Sequence, residues 1–120
     1  MIYGSGDAGD AYGPSKFISS ARESGKVLVF GGGEETRDYV FVRDMVEICA
    51  SFALGKVEGV YNVASGSSVS FQNVLGILRK TLEADFHITT MERDRPKTSQ
   101  RVEIQKLRAV MPELRFTPLE

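Results

Sequence analysis

Gly31-Gly32-Gly33-Glu34-Glu35-Thr36-Arg37-Asp38-Tyr39-Val40-Phe41-Val42-Arg43-Asp44 passes from a glycine turn to an arginine at the mouth of a strand, then to an apolar strand and a helix start. An arginine held between a Gly-rich turn and a buried strand is well placed to bind a phosphate. Its guanidinium presents a rigid fork of donors, and the glycines let the backbone approach a bulky anion. The plain alternative is a structural ion pair of Arg37 with Glu35, Asp38 or Asp44.

Working outward, the remaining segments alternate between strand and helix patterns. Lys26–Phe30 is Val-rich and reads as a short strand, Asp38–Val42 as a strand buried on both faces, and Gly59–Ala64 as another. Helices are expected over Lys16–Ser24, with Ser15 as N-cap and Gly25 as terminator, and over Asp44–Leu54, ended by Gly55. Met45, Ile48, Cys49 and Phe52 recur there at 3–4 spacing, so Cys49 is expected to be a packed thiol rather than a nucleophile. Ser70 caps a third helix with Phe71, Val74, Leu75, Leu78 and Leu82 on one stripe. Phe86–Met91 is β-like, Glu92–Gln100 is a charged loop, and Glu103–Val110 is a short helix before Pro112. The pattern predicts an α/β fold.

The chain has 120 residues, 42% hydrophobic and 26% charged, a globular composition with room for one modest core. A net charge of −1 argues against a DNA-binding face spread over the surface. The lone Cys49 cannot form an internal disulfide, and no apolar run approaches the ~18 residues of a membrane span. A cytoplasmic location is the default expectation. No Cys/His cluster has zinc-ligand spacing, so no metal is expected. His87 lies in an expected strand without a carboxylate pair nearby, which favours a structural or exposed role.

Two motifs invite stronger readings than they sustain. Gly31-Gly32-Gly33 is followed by a strand, whereas a dinucleotide-binding fingerprint needs a helix whose N-terminus faces the pyrophosphate. Tyr12-Gly13-Pro14-Ser15-Lys16 places a tyrosine and a lysine one helical turn apart, the arrangement in which an ammonium lowers a phenol's pKa for proton transfer. Pro14, however, begins a helix more naturally than it sits inside one containing Tyr12. Tyr12 and Lys16 are therefore a low-probability catalytic pair.

The Gly31–Asp44 stretch also resembles the G-x-G-x-x-R-D-[FY]-[VI]-x-V-x-D signature of extended short-chain dehydrogenase/reductases, the NAD-dependent epimerase/dehydratase family acting on sugar nucleotides. The likeness runs from Tyr3 to Glu120. Tyr3-Gly4-Ser5-Gly6-Asp7 resembles the family's Y-G-P-G-x turn, and Tyr61-Asn62-Val63-Ala64-Ser65-Gly66 its Y-N-V-G-S-G strand end. Arg95-Pro96 resembles its R-P-x-D loop, and Phe116-Thr117-Pro118-Leu119-Glu120 its F-x-P-L-E pattern. Departures are Arg43 within the V-D-D element, Thr98 for the loop aspartate and Glu103 for the usual aspartate of D-x-x-K-L.

The resemblance implies a Rossmann-like superfamily fold and assigns residues 1–120 to the C-terminal, substrate-binding portion, with the N-terminal dinucleotide-binding part absent and both ends cut short. It implies that Arg37 and Arg95 contact a nucleotide diphosphate and that Tyr39 lies near the base or ribose. The run Arg93, Arg95, Lys97 and Arg101 is otherwise a solvated charged loop. The family places its catalytic pair well upstream of the R-D strand, whereas Lys16 and Arg37 are only 37 − 16 = 21 residues apart. The full family uses NAD or NADP; none is expected for this chain alone, which lacks the cofactor loop and a credible Tyr/Lys pair and is expected to be inactive by itself. The expected partner is a nucleotide-diphosphate sugar, and exposed packing surface is expected to favour a homodimer. The alternative is a noncatalytic anionic-ligand or RNA-binding module derived from the same family.

Overall fold

Ser70 accepts a hydrogen bond from the Asn73 N–H at 3.1 Å and starts helix α3, Phe71–Leu82, which buries Phe71, Val74, Leu75 and Leu78 along one stripe. Around this helix the computed structural model, which describes residues 1–7, 13–83 and 85–119, arranges the other elements. In chain order they are β1 (Ile2–Tyr3), α1 (Pro14–Ser24), β2 (Lys26–Phe30), β3 (Thr36–Asp38), β4 (Val40–Phe41), α2 (Val42–Gly55), β5 (Ser68–Ser70), α3, β6 (His87–Met91) and α4 (Gln105–Val110).

The α/β pattern holds, and the described strands pair in twos. β2 runs parallel to β6 over five residues, with Lys26 opposite His87 and Phe30 opposite Met91. β1 runs parallel to β4, and β3 runs antiparallel to β5 with Arg37 opposite Val69. Strict alternation puts Val27 and Val29 into the core and leaves Leu28 and Phe30 partly open to solvent.

Several boundaries differ from those expected. The strand expected over Asp38–Val42 divides into β3 and β4 on either side of Tyr39, because the two halves pair with different strands. The expected Gly59–Ala64 strand does not form: those residues have no ladder partner among the described strands and run as irregular chain. Helix α1 begins at Pro14, behind Gly13, and Ser15 spends its hydroxyl on the Asp7 carboxylate at 2.5 Å rather than capping. Gly25 closes α1 in the left-handed region at φ 63°, with its N–H bonded to the Ala21 carbonyl. Cys49 is exposed, not packed, because α2 buries only Asp44 and Ile48 and carries Val46 and Leu54 on its open side.

One core was expected and two hydrophobic clusters are present. The larger joins Phe17 of α1, Val27 and Val29 of β2, Tyr39, Phe86 and the α3 stripe. The smaller joins Ile48 of α2, Ala64, Ile104 and Leu107, flanked by Phe52, Val102, Met111 and Phe116. The radius of gyration is 16.0 Å, against about 14 Å for a compact domain of this length. The molecule is accordingly elongated, 47 × 30 × 22 Å.

Candidate functional site

The turn after β2 creates the site. Gly31 has φ 60°, and a Cβ there would lie 2.5 Å from the guanidinium carbon of Arg93. A side chain at this position would displace Arg93, so the glycine lets a guanidinium lie flat on the backbone. Gly33, at φ 75°, returns the chain toward α3, where its carbonyl accepts from the Gln72 N–H at 3.0 Å. The turn then enters strand β3 rather than a helix of its own, unlike the glycine turn that opens a dinucleotide-binding helix.

Arg37 leaves β3 toward the 93–98 loop. Its Nη1 donates to the carbonyls of Thr36 at 2.9 Å and Thr98 at 2.7 Å. Nη2 donates to the Thr98 hydroxyl at 3.0 Å and to Glu35 Oε2 at 3.4 Å. The guanidinium also lies over the Phe71 ring, 5.5 Å from its centre. Of the three acidic partners considered for Arg37, Glu35 is the one it meets. The carboxylates of the other two serve the backbone: Asp38 accepts from the N–H groups of Ser65 and Gly66 at 2.7 and 2.8 Å, and Asp44 from the N–H and hydroxyl of Thr117, both at 2.7 Å.

Arg93 pairs with Glu34 through Nη2, and its Nε lies 3.9 Å from Glu35 Oε1. Glu34 is held below the usual carboxylate range, first by its own backbone N–H and then by the Arg93 hydrogen bond. Arg95, by contrast, is 87% exposed, with Asp94 3.9 Å away. Glu35, Arg37, Arg93, Asp94 and Arg95 line an open cleft of about 510 Å³ with Phe30, Pro96 and Thr98.

The structure therefore brings Arg37 and Arg95 to one cleft. Tyr39 is placed apart from them: it is 5% exposed within the larger core and lines a different hollow, with Ser65, Val69 and Phe116. Lys16 is exposed on α1, and Tyr12 lies outside the described residues. His87 is exposed beside Arg79 and Asp85. Among the described residues no cluster of His, Cys, Asp and Glu has the grouping of a metal site, and no helix is long and apolar enough to cross a membrane.

Phe30 and Glu35 carried no ligand role in the sequence, and Arg93 entered only as part of the basic 93–101 loop. Phe30 was legible only as an odd apolar residue on the outward face of a half-buried strand. Glu35 and Arg93 are 58 positions apart (93 − 35), and the β2–β6 pairing helps to bring their loops together.

The family model described as the NAD dependent epimerase/dehydratase family matches residues 2–64. This chain belongs to that family. It is 28% identical over 104 residues to a dTDP-glucose 4,6-dehydratase of Streptomyces griseus, an alignment covering 86% of this chain and 31% of that protein. Its fold is similar to that of an NAD-dependent NDP-hexosamine 5,6-dehydratase of tunicamycin biosynthesis, with TM-score 0.84 and 25% identity. That match covers 98% of this chain and 39% of the other. A UDP-N-acetylglucosamine 4-epimerase from Methanobrevibacter ruminantium M1 shares the fold at TM-score 0.82 and 23% identity, covering 97% of this chain and 38% of that one. The chain thus spans about a third of the length of the curated relative it matches.

Proposed function

We propose that this chain is the substrate-recognising portion of a sugar-nucleotide epimerase/dehydratase and grips the nucleotide diphosphate in the Arg37–Arg95 cleft. The observation that carries the reading is the convergence of three guanidinium groups with the Phe30 ring in one open cleft. The 28%-identical relative and the 25%-identical solved structure are each named for an enzyme of a nucleoside-diphosphate sugar. Arg95 is the accessible cation that meets the ligand first. Arg37, fixed by Thr98 and Phe71, lies at the floor, and its Nη2 donor to Glu35, long at 3.4 Å, is the one a ligand oxygen can take over. Phe30 supplies an apolar wall, against which a base or sugar face can pack.

The family's cofactor is NAD, which supplies hydride transfer when bound. The Gly31–Gly33 run opens a strand and not a helix, so it is not read as the pyrophosphate cradle of that cofactor. The role of this chain in the reaction is to bind and orient. Holding the diphosphate at a distance from the reacting carbons turns remote binding energy into placement of the sugar.

The test is calorimetric titration of the chain with UDP, dTDP and GDP. Arg95→Ala and Arg37→Ala are each expected to weaken binding of the preferred nucleotide by about 1–3 kcal/mol, the scale of a charge-assisted contact. Thermal unfolding alongside separates lost contact from lost structure at Arg37. Unchanged affinity in both variants would remove the diphosphate from the account.

A further inference from the structure

Glu35 occupies the position in this cleft that an anion would take. Its Oε1 accepts from the Thr98 N–H at 3.1 Å, and its Oε2 accepts from Arg37 Nη2 at 3.4 Å. The Arg93 Nε faces the same carboxylate at 3.9 Å, and this nitrogen is buried without a hydrogen bond. Two guanidinium groups and a backbone N–H around one group make the donor set that binds phosphate oxygens. Glu35 engages that set incompletely. Charge-assisted N–H···O bonds are ordinarily about 2.7–2.9 Å long, and both of its guanidinium contacts exceed that.

Glu34, one residue away, behaves differently. Its carboxylate is half exposed, pairs with the Nη2 of Arg93 and leaves that residue's Nε unserved. Arg37, Arg93 and Arg95 are balanced by Glu35 and Asp94 in the cleft and by Glu34 paired to Arg93 beside it, so displacing Glu35 leaves one positive charge in excess.

We propose that Glu35 is an internal stand-in for the ligand's phosphate: it holds Arg37 and Arg93 together and competes with an incoming diphosphate for their donors. A compact group bearing two to three negative charges can displace one loosely bound carboxylate and take the free Nε of Arg93 as well. Glu35 in this role is a positioning residue that sets the resting affinity of the cleft. The inference rests on the diphosphate reading above.

Glu35→Gln keeps an oxygen that can accept from Thr98 and removes the competing charge. Calorimetric titration with UDP and dTDP is expected to show binding tightened about tenfold relative to the unsubstituted chain, the weight of one charge-assisted contact. Glu92→Gln is the control, since Glu92 is exposed on the loop that carries Arg93 and Arg95, lies outside the cleft lining and its substitution removes the same charge. It is expected to change affinity less than twofold. Should Glu35→Gln melt far below the parent chain, Glu35→Ala serves instead, leaving the Thr98 N–H open to the ligand.

Binding in the parent chain that is equal or weaker in the folded Glu35 variant would overturn the competition and leave the diphosphate reading standing. Equal tightening by Glu35→Gln and Glu92→Gln would also overturn it, assigning the effect to net charge. No binding in either chain would remove both proposals together. Binding that appears only in the Glu35 variant would support both.

Discussion

Arg37 and Asp38 are neighbours in the sequence with opposite tasks. Alternation along β3 sends Arg37 toward the cleft and Asp38 into the interior, where it is 2% exposed. There the Asp38 carboxylate accepts two backbone N–H groups from the Ser65–Gly66 turn. Asp38→Ala leaves both donors without their partner and is expected to lower unfolding free energy by about 2–3 kcal/mol, measured by urea denaturation. A loss below about half a kcal/mol would mean that the turn finds other acceptors. The sequence made the R-D pair conspicuous, but the division of labour depends on which strand face meets the turn.

Among the elements, local signals were the most legible. Ser70, the α3 stripe and the Gly25 terminus could be read directly, because a cap, a 3.6-residue period and a left-handed glycine each act within one or two turns. The end of α2 was read one residue early. Gly55 is the last helical residue, and Lys56 takes the left-handed conformation at φ 50°. A side chain there costs about 1 kcal/mol against the following carbonyl. Lys56→Gly is therefore expected to raise the thermal midpoint and to stabilise the chain by about 0.5–1 kcal/mol, since the same turn would form without the Cβ penalty. An unchanged or lowered midpoint would show that the lysine stem contributes packing of that size. The Gly59–Ala64 segment failed as a strand for the opposite reason: a strand needs a partner, and alternation cannot say whether one is present. Val63 and Ala64 pack onto the smaller core, while Tyr61 lies edge-on to Phe52 at 4.9 Å and beneath the Lys106 ammonium at 4.4 Å.

On the scale of the whole molecule, long-range ties hold segments that local structure leaves apart. Tyr3 in β1 donates to the Pro118 carbonyl at 3.3 Å, and Thr117 beside it is bound by Asp44. Burial, and after it the nearby Asp44 carboxylate, hold the Tyr3 phenol above its ordinary pKa. The folded state thus keeps this proton more tightly than the unfolded chain does. The associated stability is complete below the ordinary phenol pKa of about 10 and is lost as pH rises through the folded value. Denaturant midpoints of the parent chain are expected to fall above about pH 10, and those of Tyr3→Phe to fall less steeply. Parallel slopes would show that other groups control alkaline stability.

The family, the α/β class, the α3 stripe with its Ser70 cap and the Gly25 terminus were determined by the sequence, because each rests on a contiguous motif or on residues close together in the chain. The tertiary structure decided the rest: that Tyr39 sits in the core, that Cys49 faces outward, that two small cores form, and that Glu35 lies between Arg37 and Arg93. Each of those outcomes depends on which distant segment packs against a given face. A single sequence records the periodicity of a face but not the identity of its partner.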